Sequence, residues 1–172
     1  TWNMDGHLAS VTGDSDMLVF QMSAEGVVQW VQTAGGACED PDPWDDRPRH
    51  ALREPASGDL IVTGDYAGNA SFGAFTLPGW CEYRNLFVAA YDEDGTVLWA
   101  SRATGPDILV DAHVVGPDNN IHVFGIVAQA PATFHGSPSI ELSTGGFHAT
   151  YGTDGTLINA DHILNTGEVY GA

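Results

Sequence analysis

The 172-residue sequence contains no lysine, and its five basic side chains are all arginine. Against them stand 23 Asp and Glu residues, which give a formal net charge of -18 at pH 7 with histidine neutral. A chain this acidic is repelled by nucleic acids and by anionic membrane surfaces. The composition therefore argues against a nucleic-acid partner. It favours solubility, cation binding, or a salty or extracellular setting.

Long apolar runs are also missing, because no stretch approaches the roughly 18 consecutive apolar residues of a transmembrane helix. We therefore expect no membrane insertion. No signal peptide is recognisable, and the chain begins with Thr1 rather than Met, which favours a processed precursor or a fragment. Sustained helical periodicity is absent too. Instead, 21 Gly and 9 Pro separate short apolar bursts, a pattern that predicts an all-β fold of short strands.

An internal repeat organises the sequence. Apolar strand, polar turn, glycine and second strand recur around Gly26, Gly95 and Gly155, which are 69 and 60 residues apart. The glycine is needed because one residue of such a turn takes positive φ. A second hairpin, Ala51–Gly64 and again Ala112–Gly125, precedes the later two copies. Two hairpins supply four antiparallel strands, which is the composition of one propeller blade.

The repeats predict antiparallel four-stranded β-propeller blades, about two and a half of them, in an incomplete propeller that cannot close alone. The expected segments are 1–36 as the second half of a blade, 37–49 as an inserted loop, 50–104 as a complete blade, 105–164 as a complete divergent blade, and 165–172 as a tail toward a missing strand. The expected strands are 17–24, 27–34, 50–56, 60–66, 86–92, 96–103, 111–116, 121–127, 146–151 and 156–164, after a connector over 1–14. Further blades should come from the same longer chain or from another copy. Unpaired strand edges favour the longer chain, since such edges invite aggregation.

Three motifs follow one another within the best-preserved repeat: Val62-Thr63-Gly64, Phe72-Gly73, and Gly95 with Trp99 four positions later. Residues 50–104 thereby resemble the bacterial β-propeller repeat family often labelled SBBP, although Ala90 stands where that family usually has Lys. Residues 1–36 and 105–160 match more loosely, and Asn159 replaces the tryptophan in the last copy. The resemblance implies a propeller fold of bacterial type and says little about activity.

Two tryptophans mark the outer strands of the predicted blades. Trp30 and Trp99 each stand four residues after their turn glycine. We expect both to be buried at equivalent sites, each packed against its own blade.

The two cysteines fall in the irregular connectors. Cys38 lies in the inserted loop, and Cys81 lies in the long connector Pro78–Asn85 of the next blade. Blade topology places both connectors on one face, opposite the short turns. A Cys38–Cys81 disulfide is therefore predicted, which favours a secreted or cell-surface protein. A pair of free thiols in a cytosolic protein is the alternative.

The same connectors concentrate aromatic and basic side chains. The candidate binding residues are Trp44, Arg47, Arg49, Trp80, Tyr83 and Arg84. Aromatic rings with charged neighbours can stack on a sugar or form a protein-binding hot spot, so a protein or glycan partner is expected. A loop packed on itself through internal Asp–Arg pairs would use the same residues.

Patterns typical of enzymes are missing. No Gly-x-Ser-x-Gly or phosphate-binding glycine loop occurs, and none of the seven histidines has zinc-site spacing, although His122 and His148 could meet across adjacent strands. Asp92-Glu93-Asp94-Gly95 resembles the start of a calcium loop without its bidentate Glu, and is better interpreted as a polar turn. We expect no cofactor, with Ca²⁺ left open. The sequence predicts a noncatalytic extracellular or cell-surface segment for binding or scaffolding. The alternative is an accessory propeller part of a larger secreted enzyme, such as a carbohydrate-active hydrolase.

Overall fold

The computed structural model describes residues 2–10, 16–36, 38 and 46–164. They form antiparallel β-strands throughout, and no helix occurs among them, so this part of the chain holds no helix able to cross a membrane. The all-β prediction is confirmed. The strands are β1 (Trp2–Met4), β2 (His7–Ala9), β3 (Met17–Met22), β4 (Val28–Gly35), β5 (Arg47–Arg53), β6 (Leu60–Tyr66), β7 (Ala70–Phe72), β8 (Phe75–Leu77), β9 (Asn85–Tyr91), β10 (Val97–Thr104), β11 (Ile108–Val115), β12 (Ile121–Val127), β13 (Ala132–Phe134), β14 (Ile140–Leu142), β15 (Gly145–Tyr151) and β16 (Leu157–Leu164).

Three units of hydrogen-bonded strands follow one another along the chain. The first unit is the pair β3-β4, the second is the meander β5-β6-β9-β10, and the third is the meander β11-β12-β15-β16. Each meander runs in chain order, with one short turn inside each hairpin. The described residues do not close into a propeller.

Three short hairpins, which we call the clasp hairpins, leave this regular pattern: β1–β2, β7–β8 and β13–β14. β7 pairs with β4 through Phe72 and Ala34, and β13 pairs with β10 through Phe134 and Ala103. Each of these two clasp hairpins therefore leaves one unit and extends the sheet of the unit before it. The second strand of all three has the same succession of half-buried, exposed and buried residues. The expected connector over 1–14 thus begins with the first clasp hairpin.

Apolar layers fill the two junctions between successive units. Val62, Phe87 and Tyr91 face the first unit, where Met17 is buried against them. The opposite face of the second unit packs on Phe147 and its neighbours in the third unit. The alternation of side chains along each strand supplies these two faces, because successive residues point to opposite sides of a sheet.

An indole lies on a glycine turn at both junctions. Trp30 of the first unit donates its Nε1–H to the carbonyl of Glu93 at 2.9 Å, and Trp99 of the second unit donates to Thr153 at 2.8 Å. A Cβ on Gly95 would lie 2.5 Å from the first indole, and a Cβ on Gly155 would lie 2.5 Å from the second. Both tryptophans are buried, as predicted. Each indole, however, packs on the turn of the following unit as well as on its own sheet.

The inner strands begin earlier than predicted, at Arg47 in β5 and at Ile108 in β11. The sequence alignment paired Ala51 with Ala112, whereas the strand register makes Ala51 equivalent to His113. The turn after β5 is one residue longer than the turn after β11, and this shifts one strand of the hairpin against the other.

Candidate functional site

Cys38 and Cys81 form a disulfide with their Cα atoms 5.6 Å apart, which confirms the predicted pairing. Cys38 lies between β4 and β5, and Cys81 lies between β8 and β9. The bond therefore ties the connector that leaves the first unit to the connector inside the second unit. Both cysteines are half-buried.

The disulfide lies at one end of the strands, which we call the connector rim; it comprises Cys38, 67–69, 78–84, 105–107 and 128–131. The opposite end, the turn rim, carries the short turns 23–27, 54–59, 92–96, 116–120 and 152–156. Strand direction separates the two rims, since every strand of the pair β3-β4 and of the two meanders runs from one rim to the other. Glu54, Asn119 and Thr153 line one groove on the turn rim.

Asn85 organises the connector rim from beneath. Its side chain is fully buried, and its amide nitrogen lies 3.1, 3.0 and 3.2 Å from the carbonyl oxygens of Tyr66, Trp80 and Tyr83. The Gly68 amide also donates to the Trp80 carbonyl at 3.1 Å. These bonds fix the 78–84 backbone, because buried polar groups are costly to leave unpaired. Sequence reasoning missed Asn85, although a polar residue at the start of an apolar strand was the available signal.

Trp80 and Tyr83 form an exposed aromatic pair on this fixed backbone. Their ring centroids are 5.7 Å apart with an interplanar angle of 53°. Trp80 is 49% exposed, whereas Tyr83 is half-buried. The disulfide partner Cys81 lies directly between them in sequence. The arrangement offers an apolar, hydrogen-bond-capable surface whose backbone is already ordered.

Two of the candidate arginines are held in ion pairs. Arg49 makes a two-pronged contact with Asp65, at 2.6 Å from Nε and 2.9 Å from Nη2, and the Asp65 side chain is 1% exposed. Hydrogen bonding to Asp65 raises the pKa of Arg49 above its ordinary value. Arg84 contacts Asp107 at 3.1 Å. The alternative of internal Asp–Arg pairs thus describes both of these arginines.

Of the remaining candidates, Arg47 begins β5 and is exposed, while Trp44 lies outside the described residues. Asp46 supplies a further tie: its carboxylate accepts from the amides of Gly36 and Ala67, both at 3.0 Å. The connector from the first unit is therefore anchored to the second unit by a carboxylate as well as by the disulfide.

His122 and His148 meet across β12 and β15, with 2.9 Å between Nδ1 and Nε2. Asp118 contacts His122 at 3.1 Å, and hydrogen bonding to His122 lowers the pKa of Asp118 to about 2. Burial lowers the pKa of His148, whose ring also stacks on Phe124. The Thr150 hydroxyl lies 3.3 Å from His148 but belongs to a buried residue, which shields it from a substrate. The cluster is not arranged as a nucleophile with an accessible base.

The Asp92 turn closes on itself. Its Oδ1 accepts from the amides of Asp94 at 3.0 Å and Thr96 at 2.8 Å. This geometry agrees with the interpretation of the segment as a polar hairpin turn. Within the described ranges, no three His, Cys, Asp or Glu side chains are grouped as a metal site would require.

Comparison with known proteins returned neither a matching family model nor a matching curated protein. The candidate site therefore rests on its own geometry.

Proposed function

We propose that this chain is a noncatalytic β-propeller repeat segment that binds or scaffolds a partner through its connector rim. In this proposal the four-strand meanders are blades, the β3-β4 pair is the outer half of another, and the repeats belong with the bacterial SBBP type. The support for the blade assignment is the repeated combination of meander, clasp hairpin and indole-on-glycine contact.

One observation carries the binding proposal: the exposed Trp80–Tyr83 pair stands on a backbone fixed by Asn85 and the Cys38–Cys81 disulfide. Aromatic residues held in place lose little conformational entropy on binding, and they dominate many protein interfaces. The aromatic pair is therefore the proposed anchor.

The partner class follows from the aromatic pair. Rings such as those of Trp80 and Tyr83 can stack on a sugar or anchor a protein interface, so a glycan or a protein surface fits best. The disulfide supports a secreted or cell-surface location, because disulfides persist in oxidising compartments.

A glycan array that includes both neutral and acidic sugars tests the proposal, together with pull-down from the native extracellular fraction. The variant is Trp80→Ala/Tyr83→Ala. The matched control is Leu98→Ala/Ile158→Ala, which truncates two exposed apolar residues near the turn-rim ends of β10 and β16 (43% and 54% exposed).

We expect the aromatic variant to lose at least about 10-fold in affinity while its circular dichroism and melting temperature stay unchanged. The control should bind like the wild type. Equal binding by both variants would show that the connector rim is not the binding surface.

A further inference from the structure

The turn around Gly26 has the same backbone geometry as the turns at Gly95 and Gly155, but no indole of the described residues lies on it. Gly26 has φ of +85°, close to +82° at Gly95 and +79° at Gly155. A Cβ on Gly95 or Gly155 would meet an indole at 2.5 Å, whereas no described atom lies within 4 Å of a Cβ on Gly26. The first unit therefore presents the same turn with nothing seated on it.

The neighbouring face of the first unit is apolar and open. Phe20 and Met22 are 41% and 52% exposed. The 69-residue repeat makes them equivalent to Ala89 and Tyr91, which are buried against the first unit. Tyr91 stacks on Trp30 there, with ring centroids 6.1 Å apart. Met22 occupies the position equivalent to Tyr91, where a thioether can contact the ring of an incoming indole.

The first clasp hairpin has an open edge beside this face. Among the described strands, β1 pairs with β2 alone, whereas β7 and β13 each pair with the outer strand of the preceding unit. In the common register, Asn3 corresponds to Ser71 and Thr133, whose partners are Gly35 and Thr104. An unpaired edge of this kind is a template for another strand.

From these three features we infer that the first unit docks a further four-strand unit that precedes it in the same array, with the inner hairpin of the first unit's own blade lying between that unit and β1. The outer strand of the docked unit carries a tryptophan four residues after its turn glycine, which lies on Gly26 and donates to the Ala24 carbonyl. The same strand pairs with β1 at Asn3 and Met4. The inference deepens the proposed repeat organisation and rests on it.

A second copy of this chain does not fit the site. The outer strands β4 and β10 are already covered by the clasp hairpins β7–β8 and β13–β14. The outer strand that remains open among the described residues is β16, and Asn159 stands at its tryptophan position. A copy would therefore offer an amide where the turn accepts an indole.

The test adds the missing unit to the complete chain. A second copy of residues 47–130 is fused directly in front of Thr1. Residues 47–104 supply the docked unit, and residues 105–130 supply the inner hairpin that β3-β4 lacks, in the order in which β11, β12 and β13 follow β10. The matched control carries Trp99→Asn in the added copy only, which reproduces the situation at Asn159.

We expect amide exchange at Asn3, whose N–H lies on the open edge of β1, to slow by about 100-fold in the fusion relative to the chain alone. Gly26→Asn should lower the melting temperature of the fusion by about 4–10 °C, and that of the chain alone by less than about 2 °C. The control fusion should show little of the Gly26→Asn effect. If the longer fusion does not fold, a fusion of residues 85–130 supplies the same outer strand and indole.

Unchanged exchange at β1, together with a harmless Gly26→Asn in the fusion, would overturn the inference. Self-association of the chain alone, measured by sedimentation, would also overturn the inference if amide exchange shows that β1 is protected in the oligomer. Neither result involves glycan or protein binding at the connector rim, so failure of this inference is distinguishable from failure of the proposed binding function.

Discussion

The two junctions of the molecule share one set of contacts and differ in another. Both seat an indole on a turn glycine, and both receive a clasp hairpin from the following unit. The first junction adds the Cys38–Cys81 disulfide. The second adds a buried hydrogen bond of 2.8 Å between Thr63 and His113.

This difference separates the contacts that stack one unit on the next from the contacts that can serve a particular function. Contacts that recur at both junctions serve the stacking of one unit on the next, since the chain repeats them with different surrounding residues. Contacts found at one junction are free to serve something else. The disulfide and the aromatic pair Trp80–Tyr83 fall in the second group, which is why the connector rim of the first junction is the proposed binding surface.

The largest expected effect comes from removing a shared contact. Trp99→Ala should destabilise the chain by about 3–5 kcal/mol, because it leaves a cavity and orphans the Thr153 carbonyl. Trp30→Ala should cost a similar amount if the two junctions are equivalent. Urea denaturation measures both, with Leu98→Ala as an exposed control expected within about 0.5 kcal/mol of wild type. A cost below about 1 kcal/mol for either tryptophan would break the equivalence.

Removing the disulfide should affect the first junction more than the second. Its cysteines are 43 residues apart in sequence, and chain-entropy reasoning gives about 4 kcal/mol as an upper value for a loop of this size. Cys38→Ser/Cys81→Ser should therefore lower the denaturation midpoint and speed amide exchange in β4 and β7. Exchange in β10 and β13, at the second junction, should follow only the global change. Selective loss of protection at the second junction would contradict this division.

Acidification should weaken the second junction. Burial, assisted by the nearby His50 charge, lowers the pKa of His113 from 6.5 to about 4. The unfolded chain therefore takes up the proton first, so this stability is complete above pH 6.5 and is lost as pH falls toward 4. This lowering of the pKa corresponds to about 3 kcal/mol of the free energy of unfolding. Denaturation midpoints between pH 7.5 and 4.5 should drop less in His113→Leu than in wild type, and an unchanged slope would exclude this role.

Asn85→Ala should give the smallest loss, about 1–3 kcal/mol, by leaving buried carbonyls of the connector rim unpaired. Near-ultraviolet circular dichroism of Trp80 and Tyr83 should change with it. Asn120→Ala, which removes an amide from the turn rim, is the matched control and should leave the aromatic signal intact. An aromatic signal that survives Asn85→Ala would show that the disulfide alone orders this loop.

Much of this comparison was visible in the sequence. The glycine turns, the period of the outer hairpins and the position of both cysteines follow from local chemistry: positive φ favours glycine, and apolar residues alternate along strands. The aromatic and arginine candidates were also found from their clustering. The ion pairs of these arginines were not predicted, because Asp65 and Asp107, which bind Arg49 and Arg84, are distant from them in sequence.

The clasp hairpins show why the rest could not be predicted. Asp5-Gly6 between Met4 and His7 is a strong two-residue hairpin signal, so β1–β2 could have been anticipated. That β7 and β13 add to a preceding sheet depends on contacts between distant residues. The same holds for the indoles: the sequence requires glycine at positive φ, but only the folded chain reveals that a Cβ on Gly95 would lie 2.5 Å from a ring.

The most direct test of the account replaces each turn glycine by asparagine, which tolerates positive φ and adds a side chain. Thermodynamic stability of Gly95→Asn, Gly155→Asn and Gly26→Asn is measured by urea denaturation of the same chain. If the indole–glycine contact builds both junctions, the first two variants lose about 1–3 kcal/mol through overpacking, and Gly26→Asn stays within about 0.5 kcal/mol of wild type. Equal stability of all three variants would contradict the account.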